Sequence, residues 1–278
     1  KMKEDIEVFL IEKGYSIATQ ETCRRILLDL ISIPDLEQIG AAALLAHFEL
    51  PTWGNSIQYV SVTASRQFLA WRFGHDHSAL SARVKRKKSK IQRSLNSEKL
   101  LTLLASFDPH TAKGRRDLAI ASVAVDARLR VSELSRLCFS DVNLETCTLQ
   151  VIVKGGEWGE RAFSEETANI ILAYLPYRQP KPGVDRMFLS TQGLTKGSGM
   201  TVNGLKATVR RWGEKLGFRI SPHDFCRTFA LETTKNKAPT RVVQVGGGWK
   251  GIDMVVHYTR GLELDAIRPY LPIKNLLG

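Results

Sequence analysis

Apolar positions recur at helical spacing from the start of the chain. Ile6, Phe9 and Leu10 mark one face, Ile26, Leu27, Leu30 and Ile31 a second, Leu36, Ile39, Leu44 and Phe48 a third, and Val60, Phe68, Leu69 and Trp71 a fourth. Separations of three and four residues predict amphipathic helices, with breaks at Gly14, Pro34 and Pro51-Thr52-Trp53-Gly54. No strand-like alternation interrupts them before Leu80, so residues 1–80 read as a small helical bundle. Ser56 to Arg72 sets Tyr59, Arg66 and Arg72 among hydroxyl side chains. That face suits a phosphate backbone or plain solvent equally well.

The pattern changes after a polar stretch at 81–95. Asn96-Ser97-Glu98 predicts a helix start, with Leu100, Leu101, Leu103 and Leu104 on the apolar side of that helix. A second helix is expected from about Arg116 to Ala127. It leads into ARLRVSELSRL, where Ser132 is the expected N-cap of the next helix and Glu133 falls in the first turn. Thr148 to Val153 and Glu160 to Phe163 then alternate with period two across a glycine-containing turn, which predicts a β-hairpin with Lys154 near its tip. Ser164-Glu165-Glu166 begins a further helix, Met187 to Ser190 is a short buried segment, and Thr201 to Leu216 is helical. Pro222-His223-Asp224 opens another helix, a short one runs from Thr240 to the Gly246-Gly247-Gly248 run, and Ile252 to Tyr258 forms the segment after Trp249. Glu263 to Leu271 is expected to be the last helix. The fold class predicted is mainly α: a helical-bundle N-terminal domain (1–80), a basic linker (81–95) and a mostly helical domain with a small antiparallel β-sheet (96–278).

Charge narrows the function. The 278 residues carry a formal net charge of +12, an imbalance that favours a polyanionic partner, nucleic acid before others. Arg83, Lys85, Arg86, Lys87, Lys88, Lys90 and Arg93 fall together in the linker with no acid among them. Such a block cannot bury and fits an arm that clasps DNA, with affinity that falls steeply in salt. Lys206, Arg210, Arg211 and Lys215 lie on the 201–216 helix and meet either phosphate or solvent. The four cysteines, Cys23, Cys138, Cys147 and Cys226, have neither metal-ligand nor disulfide-framework spacing. No metal is expected from them. No apolar run is long enough to cross a membrane and no signal peptide is visible. The expected setting is intracellular, on DNA in a bacterial or archaeal cytoplasm.

The last third gathers the candidate chemistry: HDFCRTFA, then GGGWKGIDMVVHYTRG. A phosphodiester under attack gathers negative charge that fixed Arg, His and indole N–H donors can meet. A tyrosine can then attack, provided its neighbours make the phenol reactive.

The order Arg130, Lys154, His223, Trp249, Tyr258 resembles the tyrosine recombinases, or phage integrases. ARLRVSEL is similar to the family's first box, A-G-L-R-x-x-E-L, VKGGEWGERAF to the hairpin with the catalytic lysine, and HDFCRTFA to the second box, H-x-L-R-H/R-T-F-A. GGGWKGIDMVVHYTR is similar to the third, in which G-H or G-W precedes the tyrosine by nine residues. The resemblance covers about residues 96 to 278, and the helical bundle and basic linker fit the family's core-binding domain.

By position, the resemblance implies that Tyr258 attacks a scissile phosphate to give a 3′-phosphotyrosine. Lys154 then protonates the leaving 5′-oxygen, while Arg130, His223 and Trp249 hold the phosphate oxygens and Glu133 orients the first arginine or its helix. No metal or nucleotide cofactor is implied. The partners implied are double-stranded DNA bearing a specific recombination site and three further copies of the chain. Free protein is then a monomer that forms a homo-tetramer at synapsis, with Leu262 to Leu277 the candidate segment for docking on a neighbour.

One position departs from the pattern. Cys226 stands where the second box has its arginine, and Arg227 takes the variable basic position after it. The chain is then a weakened or inactive recombinase that still binds DNA, a deliberate replacement that traps a complex, or an active enzyme compensated by Arg227 or another cation. A type IB topoisomerase and a non-catalytic DNA-binding regulator are the alternatives.

Overall fold

A computed structural model of the chain describes residues 1–50, 54–85, 94–153 and 156–259. It divides into two compact units, Lys1–Lys90 and Ile91–Gly278. The expected last helix, Glu263 to Leu271, and the docking segment Leu262 to Leu277 lie outside the described residues, as do Lys154, Arg86, Lys87, Lys88, Lys90 and Arg93.

The N-terminal unit packs helices α1 (Met2–Glu12), α2 (Ile17–Leu30), α3 (Ala41–His47) and α4 (Asn55–Phe73) around one core. Phe9 meets Phe68 edge to face at 5.5 Å. Two cations of the Ser56 to Arg72 stretch hold this fold together. Arg72 pairs with Asp5 at 2.9 Å, and Arg66 donates to the Leu80 carbonyl at 2.9 Å. Val60 is exposed, against expectation, because α4 buries small residues instead, Ser61, Val62, Ala64 and Ser65, ahead of Phe68 and Leu69. Counting only large apolar side chains rotates the predicted face away from that stripe.

The C-terminal unit is built on helix α6 (Ala112–Asp126). It starts four residues before the expected Arg116, because the Thr111 hydroxyl accepts the Gly114 N–H at 3.0 Å and caps an earlier turn. Gly114 sits against the Asp108 backbone, where a Cβ has no room. Helix α5 (Ser97–Ala105) is capped by Asn96, whose side chain accepts the Lys99 N–H at 3.0 Å, and Leu101 faces solvent while Leu103 is buried.

Four donors meet at Asp117, a fully buried carboxylate on α6. They are Arg116 Nε (2.9 Å) and Nη2 (2.6 Å), Lys113 (2.8 Å) and the Trp212 indole (3.0 Å). Trp212 belongs to α9 (Val202–Leu216), so this network ties α6 to α9.

Helix α7 (Val131–Arg136) begins after Arg130, not at Ser132. The Glu133 carboxylate accepts the Arg130 backbone N–H at 2.7 Å and so does the capping that Ser132 was expected to do. The sheet has three antiparallel strands, β1 (Val142–Asn143), β2 (Thr148–Ile152) and β3 (Trp158–Ala162). β3 starts two residues earlier than predicted: Ile152 pairs with Trp158, and the Val153 N–H donates to the Glu157 carbonyl at 2.8 Å. Helix α8 (Glu165–Tyr174) follows Ser164, and Met187 to Leu189 is buried as expected. Helices α10 (Pro222–Lys235), α11 (Thr240–Gly246) and α12 (Asp253–Thr259) complete the described chain.

Candidate active site

Helix α10 opens with Ser221 and Pro222, and the Asp224 carboxylate accepts both the Ser221 N–H (2.7 Å) and its hydroxyl (2.8 Å). This cap fixes the first turn and with it His223. Asp224 also receives Arg227 at 2.9 Å, one turn on.

Tyr258 comes from α12 and reaches His223: its hydroxyl lies 3.3 Å from Nε2, and the rings pack edge to face at 5.8 Å. Trp249, in the loop after α11, packs against Tyr258 at 5.2 Å between ring centres. The turn before it passes so close to Arg161 of β3 that a Cβ on Gly248 would collide with the guanidinium. Glycine suits the turn's φ of +57°, and any side chain there would have to displace that guanidinium. Arg130 enters from the N-terminus of α7, partly exposed and held by Glu133 at 3.0 Å. Glu133 is buried and uses its two oxygens on the backbone and the guanidinium of the same arginine.

Two titrations bear on the chemistry. Burial among its neighbours lowers the His223 pKa from the ordinary histidine range, and the Arg227 charge lowers it further. A neutral His223 can accept at Nε2 in its Nδ1–H tautomer, with the Tyr258 phenol as donor. Burial raises the Tyr258 pKa, and the nearby Arg128, Arg227 and Arg130 charges only offset part of that rise. In the DNA-free chain the phenol is therefore protonated.

The predicted residues Arg130, Glu133, His223, Cys226, Arg227, Trp249 and Tyr258 are thus brought together. Cys226 is fully buried, its thiol directed at the Arg128 carbonyl (3.7 Å) and the Leu129 carbonyl (3.9 Å). Arg210 and Arg211 stand exposed on α9, paired with Glu214 at 3.4 Å and with the Thr208 hydroxyl at 3.0 Å. Neither shares a hydrogen bond, ion pair or ring contact with the Tyr258 cluster. Arg83 is exposed in the N-terminal unit and donates to the Leu80 and Ala82 carbonyls, and Lys85 is exposed beside it.

Sequence reading missed two arginines. Arg128 and Arg161 are almost wholly buried at this site; Arg128 Nε and Nη2 have no hydrogen-bond partner, and neither has Arg161 Nε, although Arg161 Nη1 donates to the Glu160 carbonyl at 2.8 Å. The signal for Arg128 was its place in ARLR, where the first box has glycine. For Arg161, which pairs with Leu149 towards the end of β3 away from the turn, no sequence signal existed. The Trp249 indole N–H is also buried and without a partner. Buried donors of three residues thus lie near one another with no protein acceptor, an arrangement that suits an anionic ligand.

The model of the phage integrase family matches residues 93–263, which contain every element of this site. The chain belongs to the phage integrase family. The tyrosine recombinase XerD of Listeria innocua is 28% identical over 181 residues, 63% of this chain and 60% of that protein. XerA of Thermococcus onnurineus, also a tyrosine recombinase, is 23% identical over 226 residues, 81% of this chain and 78% of that one. The chain thus spans about 60% of XerD, the relative matched over fewer residues. Its fold superimposes on the Tn1549 transposon integrase in complex with transposon right end DNA, with a TM-score of 0.79 at 14% identity, covering 100% of this chain and 99% of that one. A mainly helical integrase fold with a small antiparallel sheet is therefore established. No helix of the described residues is long and apolar enough to cross a membrane.

Proposed function

We propose that this integrase-family chain is a site-specific DNA recombinase whose nucleophile is Tyr258. The observation that carries the reading is the contact of the Tyr258 hydroxyl with His223 Nε2, beside a buried indole N–H and guanidinium nitrogens that no protein group accepts from.

In the proposed reaction the phenol oxygen attacks the scissile phosphorus, and its proton passes to neutral His223. The Tyr258 O–P bond forms as the P–O5′ bond breaks, and Lys154 gives a proton to the departing 5′-oxygen. Arg130 and the Trp249 N–H face the charge that gathers on the non-bridging oxygens. The phosphotyrosine conserves the bond energy of the phosphodiester. A 5′-hydroxyl from another strand can therefore reverse the step and complete strand exchange. Exchange between two duplexes requires four chains, so a tetramer on paired sites belongs to this reading. Solved relatives are bound to transposon-end, difH and lambda core-site DNA alike, so the site in this reading is the end of the chain's own element, of whichever class.

The test is a nicked suicide substrate carrying such an end, analysed on a denaturing gel. Wild-type chain is expected to give a covalent band, and Tyr258→Phe none, with DNA affinity nearly unchanged. A covalent band from Tyr258→Phe would overturn the assignment of the nucleophile. A second reading, a DNA-binding regulator, is favoured by the uncharged Cys226 in the second box. Site-specific binding with no covalent band from any variant would select it.

A further inference from the structure

Three guanidinium groups, Arg128, Arg130 and Arg227, lie around Tyr258 and Cys226, a fourth, Arg161, lies against the Gly248 turn, and only two carboxylates are in contact with any of them. Arg130 is held by Glu133 and Arg227 by Asp224. Arg128 and Arg161 have no acid in contact. Arg128 is the more extreme, 1% exposed, with Nε and Nη2 lacking any partner and the guanidinium 5.0 Å from the centre of the Trp249 ring. Indole contact compensates such a cation only in part, and arginine does not escape by losing its proton.

The backbone is unfavourable as well. Arg128 has φ +50°, the left-handed region where a side chain is disfavoured and glycine is at ease. A buried, unpaired charge on a left-handed residue opposes folding twice over, so the position is explained by what the charge does.

The thiol of Cys226 bonds to the carbonyl of this same Arg128. The small cysteine leaves room beside the turn that an arginine at 226 would fill. Arg227 is the poorer substitute, since Asp224 already neutralises it.

We infer that Arg128 supplies, from the turn between α6 and α7, the guanidinium that Cys226 does not supply from α10, so that the two residues form an exchanged pair in the phosphate cradle. The role of the cradle in strand cleavage rests on the recombinase reading above, but the anion site itself does not. Because Arg128 is closed over by Trp249 in the DNA-free chain, the scissile phosphate meets it once the Trp249 and Tyr258 rings adjust to DNA.

Two experiments on the full chain separate these levels. In the suicide-substrate assay, Arg128→Gly is expected to slow cleavage by about 10²- to 10³-fold, the usual loss for one transition-state donor, with DNA affinity lowered only by the loss of one phosphate contact among several. Cys226→Arg alone is expected to slow cleavage too, because it crowds a second guanidinium against the first. The double variant Arg128→Gly/Cys226→Arg restores cleavage. A purely structural Arg128 predicts no such rescue, and cleavage by Arg128→Gly at the parent rate overturns the proposal.

The second experiment needs no catalysis: the thermal midpoint is followed against inorganic phosphate for the parent, Arg128→Met and the exposed control Arg219→Met. We expect Arg128→Met to melt at or above the parent temperature and to lose most of the phosphate-dependent rise, which the control keeps. A lower midpoint with the phosphate response intact would show Arg128 to be structural and overturn the proposal. A phosphate response that depends on Arg128 in a chain forming no covalent band would uphold the anion site while sinking the recombinase reading.

Discussion

The Trp249 indole N–H is a buried donor with no acceptor, although the ring itself is well packed against Tyr258 and Arg128. Replacing it by phenylalanine keeps most of the packing and removes the donor. Trp249→Phe is expected to slow single-turnover cleavage by up to about 10²-fold with little change in DNA affinity, read on the suicide substrate. The depressed pKa of His223 sets the pH behaviour. A histidine that stays neutral to lower pH keeps accepting the Tyr258 proton there, so the acid limb of the cleavage profile should lie below about pH 6.5, the ordinary histidine value. The sign for stability is the same. Unfolded chain takes up this proton before folded chain does, so the His223 contribution is complete above about pH 6.5 and is lost as pH falls below it. His223→Gln should remove the limb, and an unchanged limb in that variant would assign it to another group.

At the scale of elements, the site depends on where α6 ends, because the turn after it carries Arg128 and Arg130. That helix is locked to α9 through Asp117, whose carboxylate has no exposure and serves Arg116, Lys113 and Trp212. Arg116 is itself buried and also donates to the Leu189 carbonyl at 3.0 Å, which draws in the buried Met187 to Leu189 segment. Asp117→Ala strands that cation, and breaking a buried pair from one side costs about 3–5 kcal/mol. Urea denaturation should show a loss of this size. A loss under about 1 kcal/mol would mean that the charge is solvated after all. Helix α10 depends on its cap in a similar way. Asp224 holds the first turn through Ser221 and at the same time balances Arg227, so a single carboxylate fixes the direction of His223 and keeps Arg227 occupied.

For the whole molecule, the +12 charge and the exposed cations of α9 and of Arg83 and Lys85 argue for binding governed by phosphate contacts. If the chain neutralises about 6–10 phosphates, its affinity for duplex DNA should fall by about 10³- to 10⁵-fold between 50 and 200 mM salt, by counterion release. A titration by fluorescence anisotropy at several salt concentrations measures the slope. Near-independence of salt would exclude a backbone-clasping mode of binding. Replacing Lys87, Lys88 and Lys90 together by glutamine should make the slope shallower by about three units if all three contact phosphate.

The sequence by itself determined the class of fold, because helical periodicity, helix starts such as Asn96 and Ser164, and a glycine-bounded hairpin are local signals that need no partner. It also named Arg130, His223, Trp249 and Tyr258, since their order and spacing survive as a linear pattern. Where local reading failed, a contact distant in sequence or a competing cap had prevailed: Glu133 displaced Ser132 at the start of α7, Thr111 moved the start of α6, and small residues set the buried face of α4. Only the tertiary structure decided which cations stand without a counter-charge. Burial and charge balance are sums over elements far apart in the chain, so Arg128 shows in the sequence only as a departure from the first box's glycine until α7, α10 and the Trp249 loop close around it.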